Sequence, residues 1–234
     1  MSRQVIATVD DLCAAGAAVP AASAAALPLT AQGEGVMTER GADEMREQIR
    51  QVALRLFAQL GYDNTDLRLI GDSVGISPEA VEELTGGKRE LYLSVLAEGV
   101  EGLLAHMDID SPDYTPDAAG FCLLADRYLA YLVEHPELRR IWMQRWLSDA
   151  ADLSDLENTY TAPTIGPLID RWRPGFRPGV DVHMAIFMTF SAINDFVAGG
   201  VVLEDGKWVG AESRAACQRL SDYVHEHIAT YFVS

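Results

Sequence analysis

The chain has 234 residues, 49% hydrophobic and 8% aromatic, enough apolar mass for one large or two small packed domains. The apolar share excludes an acidic disordered protein. Acidic residues outnumber basic ones 35 to 18, giving a net charge of −17 that excludes a general nucleic-acid coat, because phosphate neutralisation needs Lys and Arg in excess.

Residues 1–40 are Ala-rich and low in complexity. Asp10 and Asp11 stand where a secretion signal carries positive charge, and Pro20 and Pro28 break the apolar stretch, so a flexible tail is expected, with Met37 as a second plausible start. From Met45 to Leu60, apolar residues at Ile49, Val52, Ala53, Leu56, Phe57 and Leu60 predict an amphipathic helix closed by Gly61. Thr65 is placed to N-cap a short second helix with Leu67, Ile70 and Val74 inward, ended by Gly75. Ser77-Pro78-Glu79 then supplies an N-cap, a proline at the first helical position and an acidic first turn to a third helix over 78–84.

A fourth helix, 88–107, follows Gly86-Gly87, with Leu91, Val95, Leu96, Val100, Leu103 and Leu104 on its inner face. Pro and Gly signals delimit five more helices, over 117–134, 136–148, 153–172, 180–198 and 212–232, with a hairpin-like turn at Asp205-Gly206. No strand pattern of period two persists, so the predicted fold class is all-α. The most apolar run, Met184 to Leu203, is interrupted by Asn194, Asp195 and Gly199-Gly200, which favours a buried helix over a membrane span.

Metal and enzyme chemistry find no foothold. Cys13, Cys122 and Cys217 are scattered and lack a C-x-x-C spacing, which excludes a disulfide scaffold and a zinc ribbon and suits a reducing cytoplasm. His225 and His227 are two apart and point to different helix faces. No P-loop, G-x-S-x-G or H-E-x-x-H is present. No cofactor and no catalytic residue is expected.

The informative stretch is Gly71-Asp72-Ser73-Val74-Gly75-Ile76-Ser77. A small residue lets two helices cross closely, and a glycine four positions later accepts the positive φ of the turn, as a helix-turn-helix requires. Around it, Leu56-Phe57-x-x-x-Gly61-Tyr62-x-x-Thr65-x-x-Arg68-x-Ile70-x-x-x-x-Gly75-Ile76-Ser77, extended by Lys88, Leu91 and Tyr92, resembles the N-terminal domain of the TetR family of bacterial transcriptional regulators. Tyr131-Leu132-x-x-His135-Pro136-Glu137-Leu138 is similar to the fifth-to-sixth helix junction of many members.

The resemblance implies a DNA-reading head over 41–98 and a helical effector-binding and dimerisation body over 99–234. It implies a cytoplasmic regulator, a repressor in the simplest case, that binds palindromic double-stranded DNA and answers to a small, mainly apolar effector. On this reading Thr65, Arg68 and Lys88 hold the DNA backbone, while Ser77, Pro78, Glu79, Val81 and Glu82 face bases. Leu103, Leu124, Tyr128, Trp142, Trp146, Ile169, Trp172 and Phe187 are the expected effector lining. The helix over 180–198 is apolar almost all round, so Ile186, Phe190, Ile193 and Phe196, with Tyr223, Ile228 and Tyr231, are the expected homodimer contacts.

The third helix departs from the family pattern. Glu82 stands where members carry a phosphate-contacting Tyr, Glu83 replaces a polar or basic residue, and Thr85 replaces a Phe. Between Arg46 and Glu98, six basic residues (Arg46, Arg50, Arg55, Arg68, Lys88, Arg89) face nine acidic ones (Glu47, Asp63, Asp66, Asp72, Glu79, Glu82, Glu83, Glu90, Glu98), a net −3. Two readings stay open: a DNA-binding regulator, or a TetR-like dimer that has lost DNA binding and acts through protein or ligand contacts.

Overall fold

The computed structural model describes residues 39–233, so the expected tail over 1–40 lies almost wholly outside the described residues. Nine α-helices, a short π-helix, a 3-10 turn and one two-stranded hairpin make up the regular structure among them. Helix α1 (Glu39–Leu60) starts earlier than its apolar periodicity and buries Ile49, Val52, Ala53, Phe57 and Ala58. Gly61, at φ +82°, turns the chain after it.

Helix α2 (Leu67–Val74) is capped by Asp66 and not by Thr65, which corrects the sequence expectation. The Asp66 carboxylate accepts from the Leu69 N–H at 2.8 Å, whereas Thr65 is fully buried and its hydroxyl donates to the Gly61 carbonyl at 2.7 Å. The helix-turn-helix geometry follows from two glycines. Gly75 takes φ +81° and donates its N–H to the Gly71 carbonyl, while a Cβ on Gly71 would lie 2.6 Å from the Ile76 carbonyl oxygen. Helix α3 (Pro78–Thr85) begins as the sequence predicts, with Ser77 Oγ accepting from the Ala80 N–H at 3.2 Å.

Helix α4 (Lys88–Met107) runs unbroken from the head into the body. Gly99 and Gly102 let its neighbours press against its backbone: a Cβ at Gly99 would sit 2.7 Å from Leu138 Cδ1, and one at Gly102 2.6 Å from the Tyr131 hydroxyl. Helix α5 (Ala118–Glu134), capped by Asp117, is joined through His135 to α6 (Pro136–Trp146). The chain then leaves helical geometry earlier than the sequence predicts. Ser148, Ala150 and Asp155 all have positive φ, and a one-turn π-helix, Glu157–Thr161, leads into α7 (Ala162–Trp172). The cause is Arg145, whose guanidinium donates to the carbonyls of Ala150 (2.9 Å) and Leu153 (3.1 Å) and to both carboxylate oxygens of Glu157. It draws this segment back over α6.

Helix α8 (Val182–Gly199) follows an Asp181 cap, strands β1 (Val201–Val202) and β2 (Trp208–Val209) pair antiparallel around Asp205-Gly206, and α9 (Arg214–Ala229) closes the fold. The core is continuous. Phe57, Tyr62 and Tyr92 cluster in the head, and Phe121, Trp172, Phe176 and Phe232 in the body, linked because α1 packs along α6 as well as on α2 and α4.

Candidate nucleic-acid interface

The face of the head that carries α3 is built from short-range signals. Ser77 caps the helix, Pro78 occupies its first turn half-buried, and Glu79, Glu82 and Glu83 point outward. Glu79 is committed to the helix start. Its own backbone N–H, and then the Ser77 hydroxyl, hold its carboxyl below the usual carboxylate range. Glu82 is exposed and remains free of a partner among the described residues. Val81, expected to face bases, has no exposed surface and packs into the core, so it cannot read DNA.

The predicted phosphate-holding residues separate. Arg68 is exposed on α2, 3.9 Å from Asp72, an ion pair too open to immobilise it. Thr65 is sealed inside with its hydroxyl spent and is not a backbone contact. Lys88 is half-buried: its ammonium lies 4.2 Å over the Tyr62 ring and 3.5 Å from the Asp63 carbonyl oxygen. It fixes the loop between α1 and α2, and that contact accounts for a lysine at a helix N-terminus.

The same loop is gripped from the other side by a residue that sequence reasoning missed. Asp149, in the segment after α6, accepts from the Tyr62 N–H at 2.7 Å and the Asp63 N–H at 2.9 Å. Gly61 is required here twice over, since a Cβ at its φ of +82° would lie 2.7 Å from Asp149 Oδ1. The head is therefore clamped to the body through the backbone of the loop that precedes α2.

In the body the expected effector lining is dispersed. Leu124 and Trp172 are completely buried in close-packed core, while Trp146 (59% exposed) and Phe187 (53%) lie on the outside and line no interior space. Leu103, Tyr128, Trp142 and Ile169 are half-buried around the core. The gap between Ala125, Leu129, Ile193, Leu220 and Val224 has no room for a water molecule.

The expected dimer contacts also divide. Ile186, Ile193 and Phe196 are buried within the chain because the inward face of α8 packs on α5 and α6, and Ile228 is buried because α9 packs on α5, so none of the four can meet a partner. Phe190 and Tyr231 are half-buried, and Tyr223 is exposed. The outward face of α8 carries Met184, Phe187 and Met188 instead, each about half exposed.

No protein-family model and no curated protein sequence matches the chain. Solved structures do match in shape. A regulatory protein of the tetR family from Rhodococcus aligns with a TM-score of 0.61 at 19% identity, covering 81% of this chain and 98% of its own. The TetR-family regulator PfmR from Thermus thermophilus aligns with a TM-score of 0.61 at 20% identity, covering 85% and 100%. This chain has the TetR-family fold. The ketosteroid transcriptional regulator KstR2 of Mycobacterium tuberculosis has the same fold with a TM-score of 0.55 at 19% identity, covering 81% and 96%. The TetR-like arrangement extends beyond the head to the helical body, since the alignments take in nearly all of each neighbour.

Proposed function

We propose that this TetR-like chain is a DNA-binding transcriptional regulator, a repressor in its simplest form, whose affinity for a palindromic operator is set by a small molecule held in the body. The observation that carries the reading is the α2–α3 helix-turn-helix, with Gly71 and Gly75 in their required places and an outward α3 face free of intramolecular packing. The solved TetR-family regulators of like shape support it.

Two copies pair through the outward apolar face of α8, Met184, Phe187 and Met188, with Tyr223 of α9 beside it. Two α3 helices related by that axis then enter successive major grooves about 34–36 Å apart. Arg68 and the Ser77 end of α3 supply backbone contacts, and Glu82, able to accept from cytosine N4, faces the bases.

Fluorescence anisotropy on the chain's own upstream DNA, at low and moderate salt, tests the reading. Specific binding that survives moderate salt sustains it. Arg68→Ala then weakens all duplexes alike and lowers the salt slope by about one counterion, and Glu82→Gln raises nonspecific affinity by removing repulsion from phosphate. No binding at low salt, with the dimer intact, leaves the acidic face of α3 to a dimer that works without DNA.

A further inference from the structure

We infer that the body contains a recognition site for a carboxylate-bearing small molecule at Arg139, Tyr128 and Asn194, where α5, α6 and α8 meet, with the Trp146 ring as its cover. The inference rests on the reading that the body takes an effector and names the chemistry of its polar end.

Arg139 is 4% exposed. Its Nε donates to the Asn194 carbonyl at 3.1 Å, but its Nη1 is buried without a hydrogen-bond partner. No carboxylate lies within ion-pairing distance of it among the described residues, and the acid that does influence it, Asp195, is exposed on α8. Burial consequently pulls its pKa down, as expected for a charge without compensation. A chain of net charge −17 has no shortage of acids, yet none is placed here.

A second unspent donor stands beside it. The Tyr128 hydroxyl accepts from Asn194 Nδ2 at 2.9 Å, and its own hydrogen has no acceptor among the described residues. Asn194 thus has Arg139 on its carbonyl and Tyr128 on its side-chain amide, and both neighbours still have a hydrogen to donate. A buried donor without an acceptor is costly, and a buried charge without a counter-charge more so. Two donors and one positive charge match the two oxygens and single negative charge of a carboxylate. A phosphate dianion would bring more charge and more acceptors than the site answers.

The way in is Trp146. Its ring lies 4.8 Å from the guanidinium carbon and covers one face of Arg139, while its other side is open to solvent. It sits on the last turn of α6, immediately before the segment that carries Asp149. A ligand that moves Trp146 aside therefore acts one turn from the clamp on the head.

The test uses the full chain with sodium benzoate as probe, and benzamide and inorganic phosphate as neutral and dianionic comparators. Tryptophan fluorescence and thermal unfolding are the readouts. Benzoate is expected to give a saturable fluorescence change and a rise in Tm, with benzamide and phosphate giving neither at equal concentration. Arg139→Met abolishes the benzoate response while the fold persists, because a buried unpaired charge is replaced by an apolar chain of similar length. Tyr128→Phe weakens benzoate about tenfold and covers the case in which Arg139→Met does not fold. A response unchanged in the Tyr128→Phe and Arg139→Met proteins, an equal response to benzamide, or no response to benzoate in the parent overturns the proposal. Anisotropy on bound DNA separates this site from the broader reading. Benzoate binding that Arg139→Met abolishes but that leaves DNA affinity unchanged sustains the site and removes its role as effector.

Discussion

Replacing Asp149 by Ala removes both acceptors of the loop before α2. A hydrogen bond to a charged group contributes about 1.5–3 kcal/mol when buried. The Tyr62 N–H belongs to a buried residue and loses its acceptor outright, whereas Asp63 is exposed and water replaces most of its bond. The net destabilisation is therefore about 2 kcal/mol. For a domain of this size about 2–4 °C accompanies each kcal/mol, so the midpoint of thermal unfolding at fixed protein concentration falls by about 4–8 °C. Asp149→Asn keeps one carbonyl oxygen and loses roughly half as much. Asp152→Ala, an exposed acid of the same segment, serves as the control. Amide hydrogen exchange adds the local readout: Tyr62 loses protection in the Asp149→Ala protein well before the core of α4 does. An Asp149→Ala protein that melts within about 1 °C of the parent with Tyr62 protection intact refutes the clamp.

Gly61→Ala forces a side chain into φ +82° and onto the Asp149 carboxylate, a cost of about 1–2 kcal/mol that a double-mutant cycle with Asp149→Ala shows to be partly shared. Ser77→Ala removes the α3 cap and about 1 kcal/mol, read as a fall in Tm with α-helical content otherwise preserved. Phe187→Glu places charge in the outward face of α8, and light scattering is expected to show a smaller mass than for the parent if that face forms the proposed dimer; an unchanged dimer would mean that another face pairs. His225 accounts for a pH dependence. Its hydrogen bond to Asp126, 3.0 Å away, raises its folded pKa above the usual histidine value of 6.5, against the opposing effect of burial. The protonated pair thus stabilises fully below about pH 6.5 and fades as pH rises through the folded pKa. Burial lowers the His106 pKa and gives an opposing slope in parent and variant alike, so thermal unfolding from about pH 5.5 to 8.5 is expected to lose more stability with rising pH in the parent than in Asp126→Asn.

What the sequence makes legible here is whatever its own neighbours decide. Gly75 and Ser77 act within four residues, and both stand where local rules put them. Thr65 and Asp66 are both good caps, and only the packing of the loop between α1 and α2 decides that Thr65 turns inward. Val81 lies in a helix of eight residues, too short for periodicity to tell its outward from its inward side. A nearly all-apolar helix such as α8 has the same ambiguity: Ile186 and Phe187 are adjacent and equally hydrophobic, yet one is core and the other surface. Asp149 was beyond reach for a different reason. Its partners are 86 and 87 positions away, and nothing local distinguishes it among 35 acidic residues. Arg145 is similar, since its grip on Ala150, Leu153 and Glu157 overrides the helical pattern that the intervening residues would otherwise follow.

The two glycines of α4 carry a mechanical implication. Leu138 and Tyr131 lean on the α4 backbone where Gly99 and Gly102 present no side chain, so alanine, the natural stiffener of a helix, would push the tip of one of those side chains aside at either position. Each glycine weakens the helix by roughly 0.5–1 kcal/mol relative to alanine. The rod that joins head to body is thus intrinsically most compliant at its middle, where the leucine and tyrosine lean on it. Thinning either of those two side chains would remove an external brace from the point where α4 is least able to support itself.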